Sequence, residues 1–340
     1  MKVKRRVDTR IEILRVLGAL SVFAYHFAGD AESVTGSVVA GGSLWAAVQK
    51  GSGPFGVALF IIISGIVLTW SWSRVSSPAA FVRRRLGALF SLYWWVAVPL
   101  IALALVADRM PIEDLWKVPL WLSGLGILSS TTFFPVVDGW WYMTLAVQLV
   151  LLYPMLRRVQ DRLGLEGFVL GSALVTVFSG WALTAAGLSY AIDGFAGSRL
   201  MEFAIGMTMG RCLREETRGW PPASVVVSIV VGLGVCVLGS PGAPLRMVVA
   251  PAVVLLVVGT TRNAAGMFGR WIAVAGGLTY AFYLVHSPWA KPILAALTSL
   301  PLPLRVAVGC VLSLAVSASL AWGFQRSLLW TRGRLKRGSA

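Results

Sequence analysis

Residues 10–29 read RIEILRVLGALSVFAYHFAG. From Ile11 to Gly29 the run has the length and apolar character of a helix that crosses a bilayer, for which about 20 such residues are needed. Three ionisable side chains interrupt it: Glu12, Arg15 and His26. A helix turns about 100° per residue, so the eleven steps from Arg15 to His26 leave an offset of about 20°. Glu12, three residues before Arg15, falls on the same face. Ionisable groups inside a span are costly unless they meet a partner or a cavity, so this stripe is predicted to face away from lipid. Helical rise sets His26 about 16 Å beyond Arg15. The two therefore do not form one contact pair, but they can mark the two ends of one passage.

The remaining sequence repeats the apolar pattern. Of 340 residues, 57% are hydrophobic and only 13% charged, with a mean hydropathy of +0.78. A soluble domain carries about a quarter charged residues, so the composition predicts an all-α polytopic membrane protein. Ten spans are expected, at 11–29, 54–72, 87–107, 140–156, 167–187, 200–213, 223–239, 245–260, 271–289 and 304–325. Residues 1–10 then form a basic N-terminus, 11–325 one membrane domain, and 326–340 a basic tail. The apolar stretch 116–130 is short and reads as re-entrant or interfacial. With a cytoplasmic N-terminus, 22 of the 30 basic residues fall in inner segments and 7 in outer ones, with Arg15 inside the first helix. That bias places both termini in the cytoplasm. It also accounts for the net charge of +16, and apolar runs leave no surface on which nucleic acid would dock. The run after MKVKRR lacks a small-residue cleavage site, which predicts a retained first helix. The 15 tryptophans fit interfacial anchoring. Cys212, Cys236 and Cys310 are too widely spaced for a disulfide framework or a metal-ligand cluster.

Each ionisable group admits a structural reading beside a functional one. Glu12 and Arg15 can pair near a helix end and snorkel to the headgroups. His26 can be a packing histidine held by a neighbouring helix. His286, in YLVHSPW, sits where an interfacial or structural histidine is expected. Glu202 follows Arg199 by three residues in SRLMEFAIGM, the spacing of a local ion pair. Asp30 and Asp138 stand at span ends, where a carboxylate is solvated.

The first helix resembles that of the membrane acyltransferase-3 family, whose hallmark is an Arg, ten residues, then a His: here Arg15 and His26, with Glu12 at a position commonly acidic. Further blocks follow in family order. GPFGVALFIIISGIVL (53–68) ends in the matching Ser64 and Gly65, and FVRRRLGALFSLYWW (81–95) is similar to the basic opening of the third helix. WWYMTLAVQLVLLYP (140–154) holds Trp141, Gln148 and Pro154, while SRLMEFAIGM and LTYAFYLVHSP (278–288) bring Glu202, Tyr280 and His286. The resemblance runs from residue 10 to about 289. The sequence departs from it at Ala58, where many members have Asp, at Ala88 and Ser91 in place of Arg and Pro, and at Ala146 in place of Glu.

The resemblance implies acyl transfer from a cytoplasmic acyl-CoA, acetyl-CoA by default, to a hydroxyl of a carbohydrate or sugar-bearing acceptor. His26 would be the general base, since a neutral imidazole can take the hydroxyl proton as the oxygen attacks the thioester. Arg15, Arg83, Arg84 and Arg85 would receive the donor phosphates. Glu12, Ser64, Trp141, Gln148, Glu202, Tyr280 and His286 would support the site. No permanent cofactor and no metal is expected. The implied partners are acyl-CoA, the acceptor and the bilayer of a bacterial cytoplasmic membrane, and a homo-oligomer is compatible with such apolar faces. Some members carry a soluble esterase-like domain; this sequence ends fifteen residues after its last predicted span, so the acceptor chemistry is expected in the membrane domain. The rival readings are a transporter or flippase for a polar or lipid-linked substrate, and a scaffold that has lost its chemistry at Ala58, Ala88 and Ala146.

Overall fold

The computed structural model describes residues 8–36, 42–107, 110, 112–129, 137–215, 245–260, 263 and 266–338. The predicted span 223–239 lies outside them. Every regular element in the described residues is helical. Helix α1 runs Thr9–Thr35, α2 Gly42–Trp72, α3 Pro78–Val106, α4 Val118–Ser123, α5 Trp141–Ala185 and α6 Leu200–Glu215. They are followed by α7 (Ala250–Thr260), α8 (Gly266–Val285), α9 (Ala290–Ala296) and α10 (Leu302–Gly338). Among the described residues, six helices, α1, α2, α3, α5, α8 and α10, are long and apolar enough to cross a membrane. The 45-residue α5 is interrupted at Gly164 (φ 72°, ψ 177°), a backbone conformation suited to glycine, and the predicted spans 140–156 and 167–187 fall on either side of that break. The predicted span 200–213 is the 16-residue α6, and 245–260 is a π-turn leading into the 11-residue α7. Residues 326–338 continue the last helix.

Local chemistry sets the helix ends. The Asp8 carboxylate accepts from the Arg10 backbone N–H at 3.1 Å to cap α1, which ends at Gly36 with φ 65°. Ser77 caps α3 by accepting from the Ala80 N–H at 3.2 Å, with Pro78 in the first turn. The stretch around 116–130 does not span. It folds into the six-residue α4 between 3₁₀ turns and is tied to α3, where Tyr93 Oη and Trp94 Nε1 donate to the carbonyls of Trp121 and Leu122 at 3.1 and 2.7 Å.

Helix α1 occupies the centre. It packs chiefly on α2 and α8 and also meets α7, α9 and α10. Glycines permit the closest crossings: a Cβ on Gly56 would lie 2.7 Å from the Gly18 carbonyl oxygen. Along α2 and α6, a Cβ on Gly206 would lie 2.1 Å from the Ile62 carbonyl oxygen, so backbone meets backbone there. Gly206→Ala is therefore expected to destabilise the α2–α6 contact by about 1–3 kcal/mol, the cost of overpacking. The measurement is a lower Tm of the detergent-solubilised protein, whereas Gly180→Ala, with nothing within 4 Å, should leave Tm unchanged or higher.

Candidate active site

A cavity of about 310 Å³ opens between α1, α2, α3, α5 and α8. Two guanidinium groups line it, Arg15 from α1 and Arg85 from α3, with no carboxylate among the described lining residues. Ser64, Thr279 and three tyrosines, Tyr142, Tyr280 and Tyr283, complete its polar wall, and Ala88 and Ala146 lie on its apolar side. Two guanidinium groups on one cavity wall supply the kind of donors that an anion would need.

Arg15 is held by Glu12, whose carboxylate accepts from Nη1 at 2.8 Å. Glu12 is buried against α8, where it can sit only because residue 276 is glycine: a Cβ there would lie 2.2 Å from Glu12 Oε2. The Glu12–Arg15 pair is thus both the local ion pair its spacing suggests and the means by which Arg15 is aimed into the cavity. Arg85 donates from Nη2 to the Val67 carbonyl at 3.2 Å. Its neighbours Arg83 and Arg84 are exposed and do not line the cavity, since successive helical positions point about 100° apart. Tyr280 is fixed by donating to the Leu89 carbonyl at 2.9 Å, and Ser64 Oγ lies 3.4 Å from Tyr142 Oη.

Three of the rings that line the cavity form a triangle. Phe60, Tyr142 and Tyr283 lie with centroids 5.7–6.3 Å apart, the tilted and edge-to-face spacing that aromatic rings prefer. Tyr283 also sits 5.8 Å from the ring of His286, and His286 in turn lies 5.1 Å from His26. The two histidines of the sequence, 260 positions apart, are therefore neighbours. His26 is half-buried with Tyr25 edge-on at 5.2 Å, whereas His286 is buried and stacked on Phe282.

The other sequence candidates lie elsewhere. Glu202 is buried and pairs with Arg199 at 3.3 Å, and Arg199 reaches Asp193 at 3.1 Å. Gln148 secures the loop before α6, donating to the Gly194 carbonyl at 2.8 Å and accepting from the Ala196 N–H at 3.0 Å. Trp141 is half-buried beside Tyr142 and does not line the cavity. Asp30 meets Lys291 at 3.4 Å, and the side chain of Asp138 lies outside the described residues. Ala58 is wholly buried among apolar side chains between α2 and α6, away from the cavity. The sequence reading passed over Trp140, which is fully buried and donates from Nε1 to the Leu284 carbonyl at 3.0 Å, two residues before His286. It also passed over Tyr142, Tyr283 and Gly276. The spacing of Tyr280 and Tyr283, three residues apart on one helix face, was the available signal.

The family model for an acyltransferase domain, acyltransferase-3, matches residues 8–322. The chain is 28% identical over 304 residues to the acyltransferase MdmB of Streptomyces mycarofaciens, covering 80% of this chain and 76% of that protein. No solved structure matches it.

The glycine beneath Glu12 yields a paired prediction. Gly276→Ala should displace Glu12, release Arg15 and lower both Tm and activity, while Gly277→Ala, on the same cavity with nothing within 4 Å, should fold with unchanged Tm. Thermal unfolding of the two solubilised variants side by side checks it.

Proposed function

The chain belongs to the acyltransferase-3 family and is an O-acyltransferase of the membrane, and on that footing we propose that it moves an acyl group, acetyl in the simplest case, from acyl-CoA to a hydroxyl of a carbohydrate or sugar-bearing acceptor. The observation that carries this reading is the cavity lined by Arg15 and Arg85 without a lining carboxylate, joined through Tyr283 to the two histidines. Its volume, about 310 Å³, is at the lower end for a ligand pocket and suits a part of the donor, its phosphates against the arginines. The positive-inside bias of the predicted loops supports an arginine end on the cytoplasmic side, where acyl-CoA is found. The acyl-bearing arm would then extend toward Tyr283 and the histidines. A hydroxyl is a weak nucleophile at neutral pH, and His26, the more accessible of the pair, is suited to take its proton as the oxygen attacks the thioester carbon. A bacterial cytoplasmic membrane is the proposed location.

Cells with and without the gene, compared by mass spectrometry of surface glycans and secreted metabolites, test the proposal: acyl groups present only with the gene support it. Unmodified compound accumulating on one side of the membrane would instead establish transport. Arg15→Ala and Arg85→Ala are each expected to raise KM for acetyl-CoA about tenfold, the effect of losing one charge-assisted contact. His26→Ala should lower transfer by at least about 100-fold with membrane insertion intact. Undiminished transfer by His26→Ala would end its assignment as base.

A further inference from the structure

We propose that the wedge between the two limbs of α5 binds one anionic phospholipid, whose phosphate meets Arg158 and Arg162 while an acyl chain lies along the wedge. The site stands apart from the arginine cavity and does not depend on the acyl-transfer reading.

Gly164 breaks α5 into two limbs, and a cavity of about 710 Å³ lies between them. Leu151, Met155, Val159 and Leu163 line it from the first limb, and Phe168, Gly171 and Val175 from the second. The spacing of three or four residues gives each limb one face toward the wedge. At the far end Gln148 commits its amide to the backbone of Gly194 and Ala196. No charged side chain stands among the described lining residues. Leu151, Met155 and Leu163 are more than half exposed, so the wedge is open along its side. On a helix long and apolar enough to cross a bilayer, that opening meets hydrocarbon. From Gln148 to Leu163 the helical rise is about 22 Å, against about 15 Å for one leaflet of a hydrocarbon core about 30 Å thick. The wedge is therefore long enough for a whole acyl chain.

Charge decides which lipid. The turns just before Gly164 hold Arg157, Arg158, Asp161 and Arg162. Arg157 pairs with Asp161 at 3.1 Å, and Arg211 of α6 reaches the same carboxylate at 2.9 Å. Those charges balance one another beside α6. Arg158 and Arg162 point away from them. At 100° per residue Arg162 falls about 20° and Arg158 about 60° from Met155, on the side that lines the wedge. Both are exposed, and among the described residues neither forms an ion pair. Two guanidinium groups one turn apart, at the end of an apolar wedge, offer paired donors to a phosphate whose tail fills the wedge. The predicted topology makes this the cytoplasmic end, where basic sites between spans meet anionic headgroups. A zwitterionic headgroup brings its own cation to the two arginines, so the site should prefer a lipid with net negative charge.

The test uses the full chain, purified in detergent and stripped of copurifying lipid. Dioleoylphosphatidylglycerol or dioleoylphosphatidylcholine is titrated in while native mass spectrometry counts bound lipid. The wild type should bind one phosphatidylglycerol at least about tenfold more tightly than phosphatidylcholine. The double variant Arg158→Gln/Arg162→Gln should lose that preference. Gly171→Phe, placed where a Cβ meets nothing within 4 Å, should fill the wedge and weaken phosphatidylglycerol binding at least about tenfold. Neither variant should lower the Tm of the lipid-free protein. Equal affinity of the wild type for the two lipids, or a preference kept by the double variant, overturns the proposal. Undiminished phosphatidylglycerol binding by Gly171→Phe overturns it as well. In that event, a lower Tm of lipid-free Gly171→Phe gives the wedge to residues 216–244 of this chain, and a wild-type dimer split by Gly171→Phe gives it to a second copy. If Gly171→Phe does not fold, Met155→Glu, which sets a carboxylate on the half-exposed wall, is judged by the same lipid-binding criteria.

Discussion

The burial of α1's polar stripe is the constraint on which the rest depends. Glu12 and Arg15 sit in a helix otherwise fit for lipid, and a charge in hydrocarbon is tolerated only when protein surrounds it. The structure meets this by making α1 central, with α2 and α8 against it, and by giving Glu12 a seat that only glycine at 276 allows. Arg15 is then anchored on one side by its own helix and free on the other to face the cavity. A helix packed on a single neighbour would have left one of these groups in lipid. The close glycine crossings of α1 with α2, and of α2 with α6, follow from the same need to enclose one helix with several others.

That enclosure also gathers aromatic rings. Phe60, Tyr142 and Tyr283 all line the arginine cavity, and Tyr283 also lies against the ring of His286. Charges draw water, and a thioester exposed to water invites hydrolysis. On the proposed reading the acyl arm passes along these rings, and the tyrosine hydroxyls offer polar contacts to an amide-rich chain.

The sequence made the polar stripe legible because helical geometry relates Arg15 to His26 by arithmetic alone. It also made the break between the two halves of α5 legible, because Arg157, Arg158, Asp161 and Arg162 interrupt the apolar run just before Gly164. The nearness of His26 and His286 was not, because it depends on how α1 and α8 are set against each other, and no local period encodes that. The three consecutive arginines 83–85 illustrate the same limit. Composition marks them as one cluster, but the helix sends Arg85 to the cavity and leaves Arg83 and Arg84 exposed. Gly276 was invisible for another reason: its role is to be absent, and only the position of Glu12 reveals it.

The departures from the family pattern also separate once placed in space. Ala58 is packed between α2 and α6 beside apolar neighbours, so a carboxylate there would face the core and not the cavity. Ala88 and Ala146 do line the cavity. With alanine at 88, Arg85 is the cation that α3 contributes to the lining; with alanine at 146, no carboxylate stands among the described lining residues. On the proposed reading, anion binding in this cavity falls to Arg85 and to Arg15, which Glu12 already holds. A glutamate at 146 would have faced the arginine cavity, so on the proposed reading its loss bears on donor binding. The histidines instead meet at Tyr283, which touches His286, while His26 lies against both Tyr25 and His286.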